Sequence, residues 1–118
     1  MTVEADIYTA INALVGGRVF PDVAPITTPK PYITYSQVGG EAVFYTENAL
    51  PDTENARFQF NVWADTRATA KSLIKQIEFA LVMSNAFQAR PDGASHSQYD
   101  NDMLTYGSMQ DFSIWSTR

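Results

Sequence analysis

The chain has 118 residues, the size of one ordinary domain, so we expect residues 1–118 to fold as a single unit. It contains no cysteine, which excludes a disulfide framework and a thiolate metal site. Thirteen acidic residues against eight basic ones give a net charge of −5, which argues against an electrostatic nucleic-acid binder because such proteins need a basic surface.

The first third of the chain predicts one short helix and then extended structure. Apolar residues at helical spacing predict a helix over residues 3–15, with Thr2 as its N-cap and a glycine pair at its end. Val19–Phe20 predicts a very short edge strand, and three prolines predict an extended loop over 24–31. A run rich in β-branched and aromatic residues predicts a strand over 32–38.

The middle of the chain predicts a projecting hairpin, a strand and a long helix. Residues 42–46 predict a strand and turn-forming residues follow it, so we expect 40–55 to form a hairpin loop. Strict alternation over 56–63 predicts a strand with its phenylalanines facing the core. Asp65 or Thr66 caps a predicted helix over 67–84. The residues of its buried stripe are Ala70, Leu73, Ile74, Ile77 and Leu81.

The last third predicts three further strands, over 87–90, 96–103 and 104–115, with Asp100–Asp102 as the turn between the last two. Helices and strands thus alternate in blocks joined by tight turns. This order predicts an α+β domain, in which an antiparallel β-sheet packs against one long and one short α-helix.

No motif in the sequence predicts catalysis or a cofactor. His96 is the only histidine, and the chain has no G-x-S-x-G nucleophile elbow, so we interpret His96 as a solvated loop side chain. Asp100–Asp102 resembles the start of a calcium loop but lacks the required glycine and closing glutamate. We therefore expect no catalytic residue, no cofactor and no metal.

Acidic residues are concentrated in the predicted hairpin. Four acids and no base lie between Pro31 and Ala56. Two interpretations stay open: a solvated loop tip, or an acidic projection that faces a basic partner or a DNA path. The candidate contact residues of this segment are Phe44, Tyr45, Glu47, Leu50, Asp52 and Glu54.

Two other features are candidates for partner contacts. Arg67, Lys71 and Lys75 are spaced four apart, which places them in one row on the exposed face of the second predicted helix. The row is either a solvated face or the complement of the acidic hairpin in a neighbouring subunit. Trp63 and Trp115 lie on the polar side of their strands. They are either covered by a second layer behind the sheet or exposed as interface anchors.

Nothing in the sequence predicts a membrane or secreted protein. No run approaches the roughly 20 apolar residues of a membrane helix. Glu4 and Asp6 stand where a secretion signal would carry Lys or Arg. We therefore expect a soluble protein made in the cytoplasm.

Five segments together resemble the tail completion, or tail-to-head joining, proteins of long-tailed bacteriophages and prophages. The resemblance covers nearly the whole chain, and it is carried by the order and spacing of residues 5–15, 18–25, 31–35, 55–64 and 110–115. It implies a virion tail protein that forms a ring, typically a hexamer, at the head-proximal end of the tail tube. Such a ring stops tube growth and docks to the head connector. The family has no known catalytic residues to carry over.

The residues support this hypothesis independently, because an acidic channel repels phosphates and lets genome DNA pass without specific binding. We expect a homo-oligomer whose partners are the tail tube protein and the head connector proteins, assembled in the bacterial host cytoplasm. The second hypothesis is a monomeric protein-binding module that uses the 40–55 hairpin loop. A small hydrolase that uses His96 is the third.

Overall fold

A computed structural model describes residues 2–42 and 52–117 of the chain. In chain order its elements are α1 (Val3–Ile11, extended by a 3₁₀ turn over Asn12–Val15), β1 (Val19–Pro21), β2 (Tyr32–Gln37), β3 (Thr53–Ala64), α2 (Arg67–Val82), β4 (Gln88–Pro91), β5 (His96–Asp100) and β6 (Thr105–Thr117).

Both predicted helices form, and hydroxyl caps start them. The Thr2 Oγ1 atom accepts a hydrogen bond from the Ala5 backbone N–H at 3.2 Å, which begins α1 as predicted. Of the two candidate caps for α2, Thr66 serves: its Oγ1 accepts from the Thr69 N–H at 3.2 Å. The helix ends at Val82, earlier than the predicted residue 84.

The predicted strands differ from the observed ones mainly at their ends. The strand predicted over 96–103 stops at Asp100, because the Asp100 carboxylate accepts hydrogen bonds from the Asp102 and Met103 N–H groups and turns the chain. The predicted turn is thus confirmed. The strand predicted over 42–46 falls mostly on residues 43–51, which lie outside the described residues.

The strands form one six-stranded sheet in the order β1-β2-β3-β6, with β4 and β5 both paired to β6 at the far edge. All pairs are antiparallel except β1 and β2, which run parallel. The predicted α+β class is confirmed. The parallel pair departs from a purely antiparallel sheet because the proline-containing loop after β1 carries the chain back before β2 begins.

Both helices contribute to one apolar core on a single face of the sheet. Phe58, Phe60 and Phe112 are buried there, and the Phe60 and Phe112 rings meet edge to face with their centroids 5.5 Å apart. The predicted stripe of α2 is buried against these rings. The strand register predicted from alternation is therefore confirmed.

A buried glutamine connects α2 to the far edge of the sheet. The Gln110 Nε2 atom donates to the Glu78 Oε2 atom at 2.9 Å and to the Gly93 carbonyl oxygen at 3.1 Å. Gly93 lies in the break between β4 and β5. One side chain therefore holds the helix, β6 and the interrupted edge strand together, and this fixes which face of α2 points away from the sheet.

Tyr35 connects α1 to β2. Its ring is buried beside Phe58 and Phe60, and its hydroxyl donates a hydrogen bond to the Glu4 carboxylate. Burial first, and then the negative charge and hydrogen bond of Glu4, raise the pKa of Tyr35 above its ordinary value of 10.0.

Candidate interaction surfaces

The basic row predicted on α2 lies on its exposed face. Arg67, Lys71 and Lys75 are all exposed, one helical turn apart. Within residues 2–42 and 52–117, none of the three forms an ion pair. The row therefore presents positive charge to solvent without internal compensation.

The same row continues into apolar side chains toward the C-terminus of α2. Phe79 follows Lys75 at the same spacing, and Met83 follows Phe79; they are 69% and 63% exposed. Val82 lies beside them and is also exposed. We call Phe79, Val82 and Met83 the apolar end of α2.

The sequence-based interpretation of α2 missed this feature, although a signal was present. An aromatic residue at position 79 stands outside the buried stripe, where the helical pattern calls for a polar side chain.

Two grooves flank the Phe79 ring. One is lined by Leu14, Gln76 and Ala80, and it runs between α2 and the 3₁₀ turn that follows α1. The other runs between α2 and the break in the edge strand, where Ala94 and Ser95 lie. Lys75 borders both grooves.

The acidic segment is described only at its two ends. Glu41 and Asp52 are exposed, and Glu54 is half-buried at the start of β3. Four of the predicted contact residues lie outside the described residues. They are Phe44, Tyr45, Glu47 and Leu50.

Asn55 holds the two ends of this segment against the sheet. Its Oδ1 atom accepts from the Glu41 N–H at 2.8 Å, and its Nδ2 atom donates to the Ser113 Oγ atom at 2.9 Å. Gly40 passes so close to β3 that a Cβ atom would lie 2.7 Å from the Asn55 carbonyl oxygen. The Asn55 amide therefore fixes Gly40 and Glu41 beside β3. Sequence reasoning had assigned no role to Asn55, because its partners are distant in the chain.

The two tryptophans lie on the sheet face opposite the helices, and both are half-buried. Trp63 lies over Gly107, where an added Cβ atom would be 3.0 Å from the indole ring, and its Nε1 atom donates to the Thr34 hydroxyl at 3.4 Å. Trp115 lies across from Asn55 and Gln88. In the part of the chain that the structure describes, no helix covers this face. Neighbouring strands cover the rings in part, so neither complete burial nor full exposure describes them.

Polar side chains pair with one another across the rest of that face. Arg57 contacts the Asp111 carboxylate at 2.9 Å and the Asp92 carboxylate at 3.2 Å. Partial burial, and then the nearby charge of Asp100, raise the pKa of Tyr32 above its ordinary value. Arg57 is thus paired within the domain, whereas Arg67, Lys71 and Lys75 on α2 form no ion pair with a described residue.

His96 is exposed, as predicted, but it lies at the start of β5 and not in a loop. Within the described residues, no cluster of His, Asp or Glu could hold a metal ion. No described helix is long and apolar enough to cross a membrane.

Comparison with known proteins gives a match to a family model and matches to solved structures. A family model described as Tail completion protein gp17 matches residues 8–117. A chain from a structure described as the virion of a native gene transfer agent particle has the same fold. It is 18% identical, with a TM-score of 0.69, and the match covers 98% of this chain and 95% of that chain. Among curated proteins, none matches the sequence significantly.

Proposed function

Because this chain belongs to the tail completion protein family and is a structural protein of a phage-like tail, we propose that it forms a ring at the head-proximal end of the tail. The ring completes the tail and joins it to the head connector. The observation that carries this proposal is the family match, which spans residues 8–117.

The distribution of charge along the sequence supports a closed assembly of identical subunits. In a ring, each subunit must present two different patches that complement each other. The chain offers a basic row on α2 and an acidic segment between residues 40 and 55. The other partners in this proposal are the tail tube protein and the head connector proteins, and the assembly site is the host cytoplasm.

The proposed ring surrounds the genome path without gripping it. A net charge of −5 disfavours binding to phosphates, so DNA slides through without specific contacts. The family resemblance implies that the ring has six subunits.

The test is electron microscopy of the purified protein, alone and with isolated tail tubes, together with particle assembly in cells that lack the gene. We expect rings at one end of the tubes, and unjoined heads and tails in the absence of the protein. Normal particles without the protein would overturn the proposal.

The alternative, a monomeric protein-binding module, is favoured by the way Asn55 fixes the ends of the 40–55 segment. Mass measurement in the presence of tail tubes separates the two. A ring gives a multiple of 13.1 kDa at the tube end, whereas a module gives one copy per partner.

A further inference from the structure

The apolar end of α2 has the properties of an anchor site. Exposed aromatic side chains flanked by grooves are typical of the central contacts of protein interfaces. Phe79 is more than two-thirds exposed, and it stands between two grooves floored by Leu14 and Ala80 on one side and by Met83 on the other. A partner seated here can enclose the ring from both sides.

The positive charge beside the apolar end of α2 indicates which side chains a partner must carry. Lys75 borders both grooves, and Lys71 lies one turn earlier on the same exposed face. Glu78 also lines the second groove, but its carboxylate accepts a hydrogen bond from Gln110, and no acid within the described residues forms an ion pair with Lys71 or Lys75. The surface therefore fits a segment that combines apolar side chains with carboxylates.

We propose that the apolar end of α2, together with Lys71 and Lys75, receives residues 41–54 of a second copy of this chain. This inference rests on the proposed ring and names its subunit contact. Between its two held ends the segment has the required composition, with the acids Glu47 and Asp52, no base and the large apolar residues Phe44, Tyr45 and Leu50. Apolar burial around Phe79 supplies most of the affinity, while the lysines set register and partner choice.

The contact between subunits is heterologous because its two sides are different patches of the chain. The acidic segment of one subunit occupies the α2 face of the next, and the segment of that subunit occupies the α2 face of the one after it. Such a contact closes a ring without requiring a two-fold axis.

The absence of cysteine from the natural chain allows a direct test by cross-linking. One protein carries Phe79→Cys and a size tag, and a second, untagged protein carries Leu50→Cys. The two are mixed under conditions of assembly on tail tubes, oxidised, and separated without reductant. We expect a mixed disulfide dimer to be the main cross-linked product.

The matched control replaces Phe79→Cys by Ile26→Cys, since Ile26 is also exposed, at 84%, but lies in the loop before β2. Cross-linking of Leu50→Cys to this control as efficient as to Phe79→Cys would overturn the contact. A double variant carrying both Phe79→Cys and Leu50→Cys tests the other occupant. An internal disulfide in the monomer, in place of the mixed dimer, shows that the segment covers its own α2 and overturns the contact between copies.

Imaging the same samples separates this inference from the proposed function. Rings on tubes without the mixed disulfide would refute the contact and leave the ring intact. A mixed disulfide, together with unsubstituted protein that never joins heads to tails, would support the contact and refute the function.

Discussion

The two faces of α2 share one helical spacing but differ in what covers them. Ile74 and Ile77 on the inner face are completely buried against the sheet. Lys75 and Phe79 on the outer face are exposed in the described part of the chain. Folding buries the inner face, and the removal of its apolar side chains from water stabilises the domain. The outer face is available for assembly, and the two roles can therefore be separated by mutation.

The largest expected effect comes from the core beneath the inner face. Phe60→Ala removes a fully buried ring and leaves a cavity, which should lower the free energy of unfolding by about 3–5 kcal/mol. Chemical denaturation measures this directly. The matched control is Phe79→Ala, the same chemical change on the outer face, which should change the free energy of unfolding by no more than about 0.5 kcal/mol. Equal losses in the two variants would contradict the separation of the two faces.

The next effect concerns assembly and not folding. Lys71→Glu combined with Lys75→Glu should weaken ring formation and leave the denaturation midpoint nearly unchanged, because both side chains are exposed. Wild-type assembly should also loosen as salt rises, since exposed charges are screened. Sedimentation across a salt series measures both. Arg90→Glu, which reverses an exposed base on β4, serves as the control, and equal weakening by that variant would show that net charge alone is responsible.

A smaller effect on the free energy of unfolding is expected at alkaline pH, where the buried Tyr35 ionises. The pKa of Tyr35 is raised above 10.0 in the folded state, so the folded state keeps its proton when the unfolded state has lost it. The resulting stabilisation is complete below pH 10 and is lost as pH rises through the folded-state pKa.

Tyr35→Phe should therefore make the loss of stability above about pH 10 less steep, as measured by denaturation midpoints across that range. Tyr8→Phe is the control, because Tyr8 is exposed and its hydroxyl donates to the Gly17 carbonyl oxygen at 3.4 Å. An unchanged slope in Tyr35→Phe would contradict a raised pKa of Tyr35 in the folded state.

The smallest effect is expected at His96, which faces solvent on β5. His96→Ala should leave folding and particle assembly unchanged, as judged by denaturation and by plaque or particle counts. Loss of function in a variant that folds and assembles normally would revive the hydrolase hypothesis.

Much of this architecture follows from local patterns. The alternation around Phe58 and Phe60, and the helical spacing of Leu73, Ile74 and Ile77, predicted the buried faces correctly. Apolar side chains are favoured in the core. The direction in which side chains point repeats every two residues in a strand and every three to four in a helix. The exposed row of Arg67, Lys71 and Lys75 could be placed for the same reason.

The sequence by itself thus determined the fold class, the core and the exposed basic row of this protein. Only the tertiary structure decided how the pieces meet. It placed β1 parallel to β2, connected Gln110 to Glu78, laid Trp63 over Gly107 and flanked Phe79 with two grooves. Each of these depends on residues that are far apart in the chain, and no local period encodes which distant partner a strand edge or a side chain will find.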